Sequence, residues 1–419
     1  MLVTVLALVW ANSPYGESYV TVWNTKLTIS LGGAGLSKAA ILWINDGLMA
    51  IFFFVVGLEI KREILTGELS SVRNAAFPVV AAVGGMVVPA GIYAFLNYGQ
   101  AGIDGWGIPM ATDIAFALGI LTLLGNRVPV SLKLFLVAFA IVDDIGAVLV
   151  IALFYTAEVN MLSLWIGICI FGILLVLSSL RSRRIWLYVI LGIIMWVAFL
   201  KSGVHATVAG ILLAMTIPAR SKISEDEFVS CTHQVLGDLY ALQLKTATKE
   251  NADIDDEEQG NFQAAVHTIE VNCEQALSPL NRLEHALHPW VAFAIMPVFA
   301  LSNAGIIISS GMLEEFSDPV ILGIAGGLVI GKPVGIMLFA WLATITGLAT
   351  RPASVSWLHI LGASLLGGIG FTMSIFIANL AFMQSEHLAT AKLGILCASV
   401  VAGIAGFLVL RFVKSPASS

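Results

Sequence analysis

The chain has 419 residues, of which 58% are hydrophobic and only 11% charged, with a formal net charge of −6 and a mean hydropathy of +0.93. A soluble domain carries about 25% charged residues, so a water-soluble globular protein is excluded. Four cysteines (Cys169, Cys231, Cys273 and Cys397) show no CxxC or Cys/His metal spacing, so the sequence gives no ground for a disulfide framework or a zinc site.

Apolar runs near the roughly 20 residues that cross a bilayer predict twelve spans, at 1–12, 39–60, 74–97, 107–125, 132–155, 161–180, 185–201, 203–219, 286–309, 319–346, 356–383 and 388–413. The first is too short to span alone and lacks a basic n-region and a small-residue cleavage site, which speaks against a signal peptide and for a late start or a truncated first helix. After it, "KLTISLGGAGLSK" (Lys26 to Lys38) alternates apolar and polar residues around Gly32-Gly33, the pattern of a short β-hairpin. A lone hairpin is marginal in water and wants another chain's edge. An even span number puts both termini on one side. Sixteen of the 21 Lys/Arg fall in loops and tail on that side, while Lys26, Lys38 and Lys201 fall on the other and Lys332 and Lys392 within spans. The positive-inside rule then makes both ends cytoplasmic and the hairpin periplasmic.

Three blocks follow: 1–219 with eight spans, an insertion at 220–284, and 285–419 with four spans and a short tail. Within the insertion, residues 225–283 hold twelve Asp/Glu against three Lys/Arg, so the rest of the chain is net positive. Phe228, Val235, Leu239 and Leu242 recur at helical spacing, as do Phe262, Val266, Ile269, Cys273 and Leu277. Between them "NADIDDEEQG" (Asn251 to Gly260) is turn-like. The expectation is a cytoplasmic helical hairpin, either a solvated appendage or an element of regulation or partner binding.

A charge at the bilayer centre costs about 3 kcal/mol on insertion scales, so each intramembrane ionisable residue is a functional candidate, with an interhelical bond that only joins helices as the plainer alternative. Asp46 suits either reading, and Lys392 near a helix end can snorkel. Asp113 in "MATDIAFALG", Asp143 and Asp144 in "FAIVDDIGAVLV", and Lys332 in "VIGKPVGI" lie too deep for the plainer one. Adjacent helical residues project about 100° apart, so the two carboxylates of the pair cannot do one job from one face. Ala140 and Ala147 form a small-residue strip that permits close approach of another helix or a water-filled gap. Burial and a like charge nearby favour the protonated form of a carboxyl, whereas a hard cation favours the ionised form. Proton and cation then compete for one site, the minimal chemistry of an exchanger.

Lys332 is the thirteenth of 26 residues in the run Val320 to Ile345, flanked by Gly331, Pro333 and Gly335. A buried ammonium wants an anion, and Asp143 is the first choice. A retinal-type Schiff base is disfavoured by the twelve-span layout. Two spans read as broken: "GWGIPMATDIAF" and "LLGGIGFTMS", the latter with Thr372 and Ser374. Unwound backbone at depth is tolerated only inside protein or along a cavity. Each break falls in the middle of a three-span set, the signature of inverted repeats around a transport site. The partial charges of half-helix ends would suit Asp113 and Lys332. The expected fold is an all-α polytopic membrane protein of about 12 transmembrane helices with inverted-topology repeats and two broken helices crossing at midplane.

The chain resembles the NhaA-type sodium/proton antiporters of bacterial inner membranes along nearly its whole length. The matching stretches are Ile41 to Ala50, "VGLEIKRE", "AAFPVVAAVGGMVVPA", "ATDIAFALG", "VDDIGAVLVIALFY", "LKSGVHATVAG", "LEHALHPWVAF", "IGKPVGI" and "GGIGFTMSIFIANLAF". The resemblance implies that Asp144 is the principal ligand of the transported Na+ and of the proton. It makes Asp143 the partner of Lys332, a second carboxylate at the Na+ site that also changes protonation. It places Asp113 and Thr112 at the crossing of the broken spans, and Glu59, Arg62, Glu63 and Glu284, with His285 and His288 nearby, in a cytoplasmic funnel that tunes activity with pH. The hairpin at 26–38 becomes a homodimer contact. The implied activity is electrogenic export of Na+ or Li+ against H+ in the inner membrane, with no enzyme chemistry, cofactor or nucleic acid. The acidic insertion is longer than the short loop usual in that family. Other classes fit less well. An intramembrane aspartyl protease wants its aspartates on two facing helices and a GxGD-like motif, and none occurs. A cation channel would gather filter rings about an oligomer axis. A proton-coupled carrier of another small solute would need aromatic or hydrogen-bonding residues beside the aspartates.

Overall fold

The structure, a computed structural model, describes residues 2–31, 34–156, 159–180, 182–247, 256–307, 316–352, 354–382 and 386–413. In chain order the elements are α1 (Leu2–Ala11), α2 (Gly16–Asn24), β1 (Lys26–Leu31), β2 (Ala34–Ala39), α3 (Ala40–Thr66), α4 (Val72–Leu96), α5 (Ala101–Met110), α6 (Ile114–Leu123), α7 (Val130–Phe154), α8 (Met161–Ser179), α9 (Ile185–Ser202), α10 (Thr207–Thr216), α11 (Glu225–Ala247), α12 (Asp256–Ala276), α13 (Pro279–Asn303), α14 (Pro319–Ile345), α15 (Trp357–Gly367), α16 (Phe371–Ala381) and α17 (His387–Phe412). Among the described residues, α3, α4, α7, α8, α9, α13, α14 and α17 are each long and apolar enough to cross a membrane. Two bent pairs add a span each: α5, wound as a 3-10 helix, with α6 (42°), and α15 with α16 (44°). With the shorter apolar α1 and α10 these match the twelve apolar runs one to one. The protein is an all-helical, multi-pass membrane protein.

The breaks sit where glycine and proline deprive a helix of propensity and of a donor: Gly105, Gly107 and Pro109 in α5, and Gly367, Gly368 and Gly370 between α15 and α16. The core seam is α4 against α14. Gly84 packs on Gly335, Pro89 on Gly331 and Tyr93 on Gly323, and Asn97 Nδ2 donates to the Pro319 carbonyl at 2.9 Å. Numbers rise along one helix as they fall along the other, so the three-span sets opened by α4 and α14 run in opposite senses. A Cβ on Gly84 or Gly335 would collide with the partner's backbone carbonyl, so the seam needs glycine at these two positions.

Three helices contain a π segment: Ile44–Leu48 in α3, Val291–Ile295 in α13, and Gly326–Gly331 immediately before Lys332 in α14. Such bulges shift the phase of every later side chain and cluster at functional sites. Apolar periodicity does not reveal them.

Strands β1 and β2 pair antiparallel, with Lys26 opposite Ala39 and Ile29 opposite Leu36; the turn Gly32-Gly33 lies outside the described residues. The acidic segment forms α11 packed on α12. Phe228, Val235 and Leu239 face inward as their spacing suggests, but on α12 only Ile269 of the five apolar positions does so. Phe262, Val266, Cys273 and Leu277 are exposed. A two-helix hairpin buries only a narrow seam, and the seam runs through Ala265, Ile269 and Ala276. Leu242 has no described side chain. The stretch read as a turn is half helix, because α12 begins at Asp256; residues 251–255 lie outside the described set. Likewise α13 starts at Pro279, seven residues before its apolar run. Ser278 caps it by accepting from Asn281 N at 3.2 Å, and proline at the first helical position fits there.

The α4–α14 seam yields a stability test. Gly84→Leu should cost about 1–3 kcal/mol through overpacking, seen as a lower melting temperature in detergent. Gly91→Ala on the same helix meets nothing within 4 Å, and should leave stability unchanged or raise it by up to about 1 kcal/mol.

Candidate functional site

The two breaks are bonded to each other. Asp113 N donates to the Ile369 carbonyl at 2.6 Å, Thr112 Oγ1 to the Gly367 carbonyl at 2.8 Å, and Ser374 Oγ to the Ile108 carbonyl at 2.8 Å. The Asp113 carboxylate serves both helices that start here. Its Oδ1 accepts from Phe116 N at 3.2 Å as the cap of α6, and its Oδ2 accepts from Thr372 N at 3.1 Å and from the Thr372 hydroxyl at the start of α16. An anion is favoured where two helix N-termini converge. The opposite charge stands where α5 ends: Lys332 Nζ donates to the carbonyl of Met110, the last residue of α5, and to Asp143 Oδ2 at 2.7 Å. Lys332 and Asp143 are both fully enclosed.

Asp143 and Asp144 are buried to 1% exposure yet differ in company. Asp143 has Lys332 on Oδ2, while its Oδ1 lacks a partner among the described residues. Asp144 makes no ion pair there, and its Oδ1 is also without a hydrogen bond. Its charged neighbours are the carboxylates of Asp143, Glu59 and Asp113 and the ammonium of Lys332. A buried carboxylate with no donor is costly when charged, so either a proton or a cation would stabilise this position. Thr112 is fully buried beside Asp143, with its hydroxyl committed to Gly367. Among the described residues no three His, Cys, Asp or Glu gather into a metal site, so further ligands to a cation here would be backbone carbonyls, hydroxyls and water.

At one end of α3, Arg62 pairs with Glu284 of α13 and, at 3.2 Å, with Glu63; Glu63 Oε2 in turn accepts from Glu68 N at 3.1 Å. Glu59 makes no hydrogen bond or ion pair among the described residues. Its charged neighbours are Glu284, Arg62 and Glu63 on one side and Asp144 on the other. The carboxylates thus run inward from the Arg62–Glu284 end to the midplane. His285 and His288 are not part of this line; both are exposed, with no hydrogen bond among the described residues. Asp46 pairs with Lys38 at 2.8 Å at the opposite end of α3.

Residue-type and spacing arguments singled out Thr372 and Ser374 only as markers of the break, and read Lys61 only as one of several charges at a helix end. Lys61 Nζ donates to the carbonyls of Met215 (2.6 Å) and Ile217 (2.5 Å), closing the C-terminal end of α10. A lysine one residue before Arg62 at a helix end reads as a solvated charge until α10 is placed against it.

The buried pair gives a prediction. Lys332→Ala leaves Asp143 bare and should cost roughly 3–5 kcal/mol. Lys332→Ala with Asp143→Ala removes both charges and should lose less than the single variant. Detergent melting curves measure both, and an unchanged melting temperature for the single variant would refute the pair's structural role.

Comparison with known proteins agrees with this geometry. The family model described as Na+/H+ antiporter 1 matches residues 1–410. The "Na(+)/H(+) antiporter NhaA" of Oleidesulfovibrio alaskensis is 54% identical over 412 residues, covering 98% of this chain and 90% of that protein. That of Koribacter versatilis is 51% identical over 407 residues, covering 97% and 87%. That of Wolinella succinogenes is 47% identical over 409 residues, covering 96% and 87%. With its broken spans bonded at their crossing and its buried aspartates set around a single lysine, this chain belongs to the Na+/H+ antiporter 1 family.

Proposed function

We propose that the chain is a secondary transporter, not an enzyme, that exports Na+ or Li+ in exchange for H+. The observation that carries this reading is Asp144, a buried carboxylate left without a fixed partner beside two carboxylates that have one. With no fixed partner, Asp144 is met by a mobile cation or by a proton, never both. Ionised Asp144 holds the cation with help from Asp143 and Thr112. Protonation releases it. Asp143 changes partners as well: protonated, it lets go of Lys332, and Lys332 keeps the Met110 carbonyl. Two carboxylates change protonation around one cation, so charge crosses the membrane in each cycle and exchange is electrogenic. Asp113 caps two helices and holds the crossing together through both states.

The excess of Lys/Arg on one set of loops supports a cytoplasmic location for both termini and for the Arg62–Glu284 end, in a bacterial inner membrane. Glu59, Glu63 and Glu284 then form a cytoplasmic funnel in which Arg62 holds the acids in place. Protonation of these acids would tune activity with pH, with His285 and His288 contributing only through the local field at the rim. The hairpin β1–β2 lies at the periplasmic end, with Leu27 and Ile29 exposed on a free edge, and supports a homodimer.

Everted vesicles test the central claim: Na+ and Li+ should collapse a pre-formed ΔpH. Asp144→Asn should abolish that response in a protein that still inserts and melts cooperatively, because an amide cannot trade a proton for a cation. Exchange near wild-type rates in Asp144→Asn would defeat the assignment. Deletion of 26–38 should shift the protein from dimer to monomer on size-exclusion chromatography with light scattering while exchange continues, since each protomer carries a complete site.

A further inference from the structure

Helices α3 and α13 run antiparallel and are joined at both ends, by bonds of different kinds. At one end stands the Arg62–Glu284 ion pair. Roughly 25 Å away along α3, at 1.5 Å per residue, three amides from three helices meet. Asn303 Nδ2 donates to Asn45 Oδ1 at 2.9 Å, Asn45 Nδ2 donates to Asn303 Oδ1 at 3.4 Å, and Asn379 Nδ2 of α16 donates to that same oxygen at 2.7 Å. Asn303 is fully buried, and its amide also donates to the Phe299 carbonyl and to Ser302 Oγ. Asn45 lies in the π segment of α3, and Asn379 near the end of α16.

One layer deeper the same three helices contribute Phe53, Phe299 and Phe376, all fully buried. The Phe376 ring lies 5.5 Å from Phe53 and 6.2 Å from Phe299, with the His205 ring edge-on at 5.3 Å. Phe376 is one turn along α16 from Thr372, which binds Asp113. From the crossing toward the hairpin end, a path along α16 therefore meets an aromatic plug and then an amide layer. Neither layer has a part in the ion chemistry above.

Amides suit a contact that must open and close. Each donor and acceptor can exchange its partner for water without baring a charge, which an ion pair cannot do, while the closed contact still fixes one arrangement of three helices. We propose that Asn45, Asn303 and Asn379 are a latch that closes α16 against α3 and α13 on the hairpin face. The latch opens, and the phenylalanine plug parts, when Asp144 is exposed to that face. The three are positioning residues, and the proposal rests on the exchange reading.

A cross-link tests it. Asn303→Cys with Asn379→Cys, oxidised and mapped by mass spectrometry to exclude the native cysteines, should lose at least tenfold in Na+-driven ΔpH collapse. Reductant should restore the rate of the reduced variant. The locked protein should still bind Na+, seen as a Na+-dependent rise in melting temperature with a midpoint within about twofold of the reduced form. Full transport in the locked protein would overturn the latch, as would loss of Na+ binding together with transport, which would make the cluster part of the ion site. A second arm needs no transport. Asn379→Ala should speed hydrogen exchange at least tenfold in peptides covering 299–306 and 372–381 and leave 279–290 unchanged. Equal exchange in all three would also overturn it. If the unmodified chain shows no Na+/H+ exchange, the functional reading fails, and the hydrogen-exchange arm still decides whether the amides hold the face shut.

Discussion

A helix broken inside a bilayer ends its peptide dipoles where no water can solvate them. Here two helices break at the same depth, and their free ends are met by bonds between the two breaks and by one lysine from elsewhere in the fold. Asp113 caps α6 and α16 with one carboxylate, and Lys332 meets the last carbonyl of α5. The remaining packing serves that arrangement. The glycine seam between α4 and α14 brings Lys332 to the crossing, and α7 must then place Asp143 against a buried ammonium that would otherwise stand alone.

Once these partners are assigned, the charges left over carry the functional reading. Asp113 has three donors and Asp143 has Lys332, whereas Asp144 and Glu59 have none among the described residues. The buried carboxylates thus divide into Asp113 and Asp143, which meet donors on other helices, and Asp144 and Glu59, which meet none among the described residues. Adjacent residues on one helix meet different surroundings because their side chains diverge by about 100°.

The α3–α13 pair has the same economy at larger scale. An ion pair joins its Arg62 end and neutral amides its hairpin end. The ion pair leaves Arg62 partly exposed, whereas the amide clamp can exchange its partners for water without baring a charge. Asn45 lies within the π segment of α3, and Asn303 follows that of α13 by about two turns.

Run length and glycine–proline content are local properties, so the twelve spans, the two breaks and the exceptional depth of Asp113, Asp143, Asp144 and Lys332 were all legible in the sequence. The antiparallel hairpin was too, because alternation about Gly32-Gly33 is local. Partnership was not. Asp143 was the expected partner of Lys332, but the contact that makes it so spans 189 residues of chain, and that Asp144 meets no donor among the described residues could not be read from the sequence. The same holds for Thr372 on Asp113, for Lys61 on the end of α10, and for three asparagines that read singly as ordinary polar residues. His285 and His288 sit beside Glu284 in sequence, but helical phase turns them outward. On α12 the apolar stripe was visible and its buried phase was not, since packing against α11 alone chooses which edge of a stripe is covered. Hydropathy and backbone-breaking residues determine where the chain crosses and where it breaks; only the packing of distant helices decides which charge is neutralised and which is left for an ion.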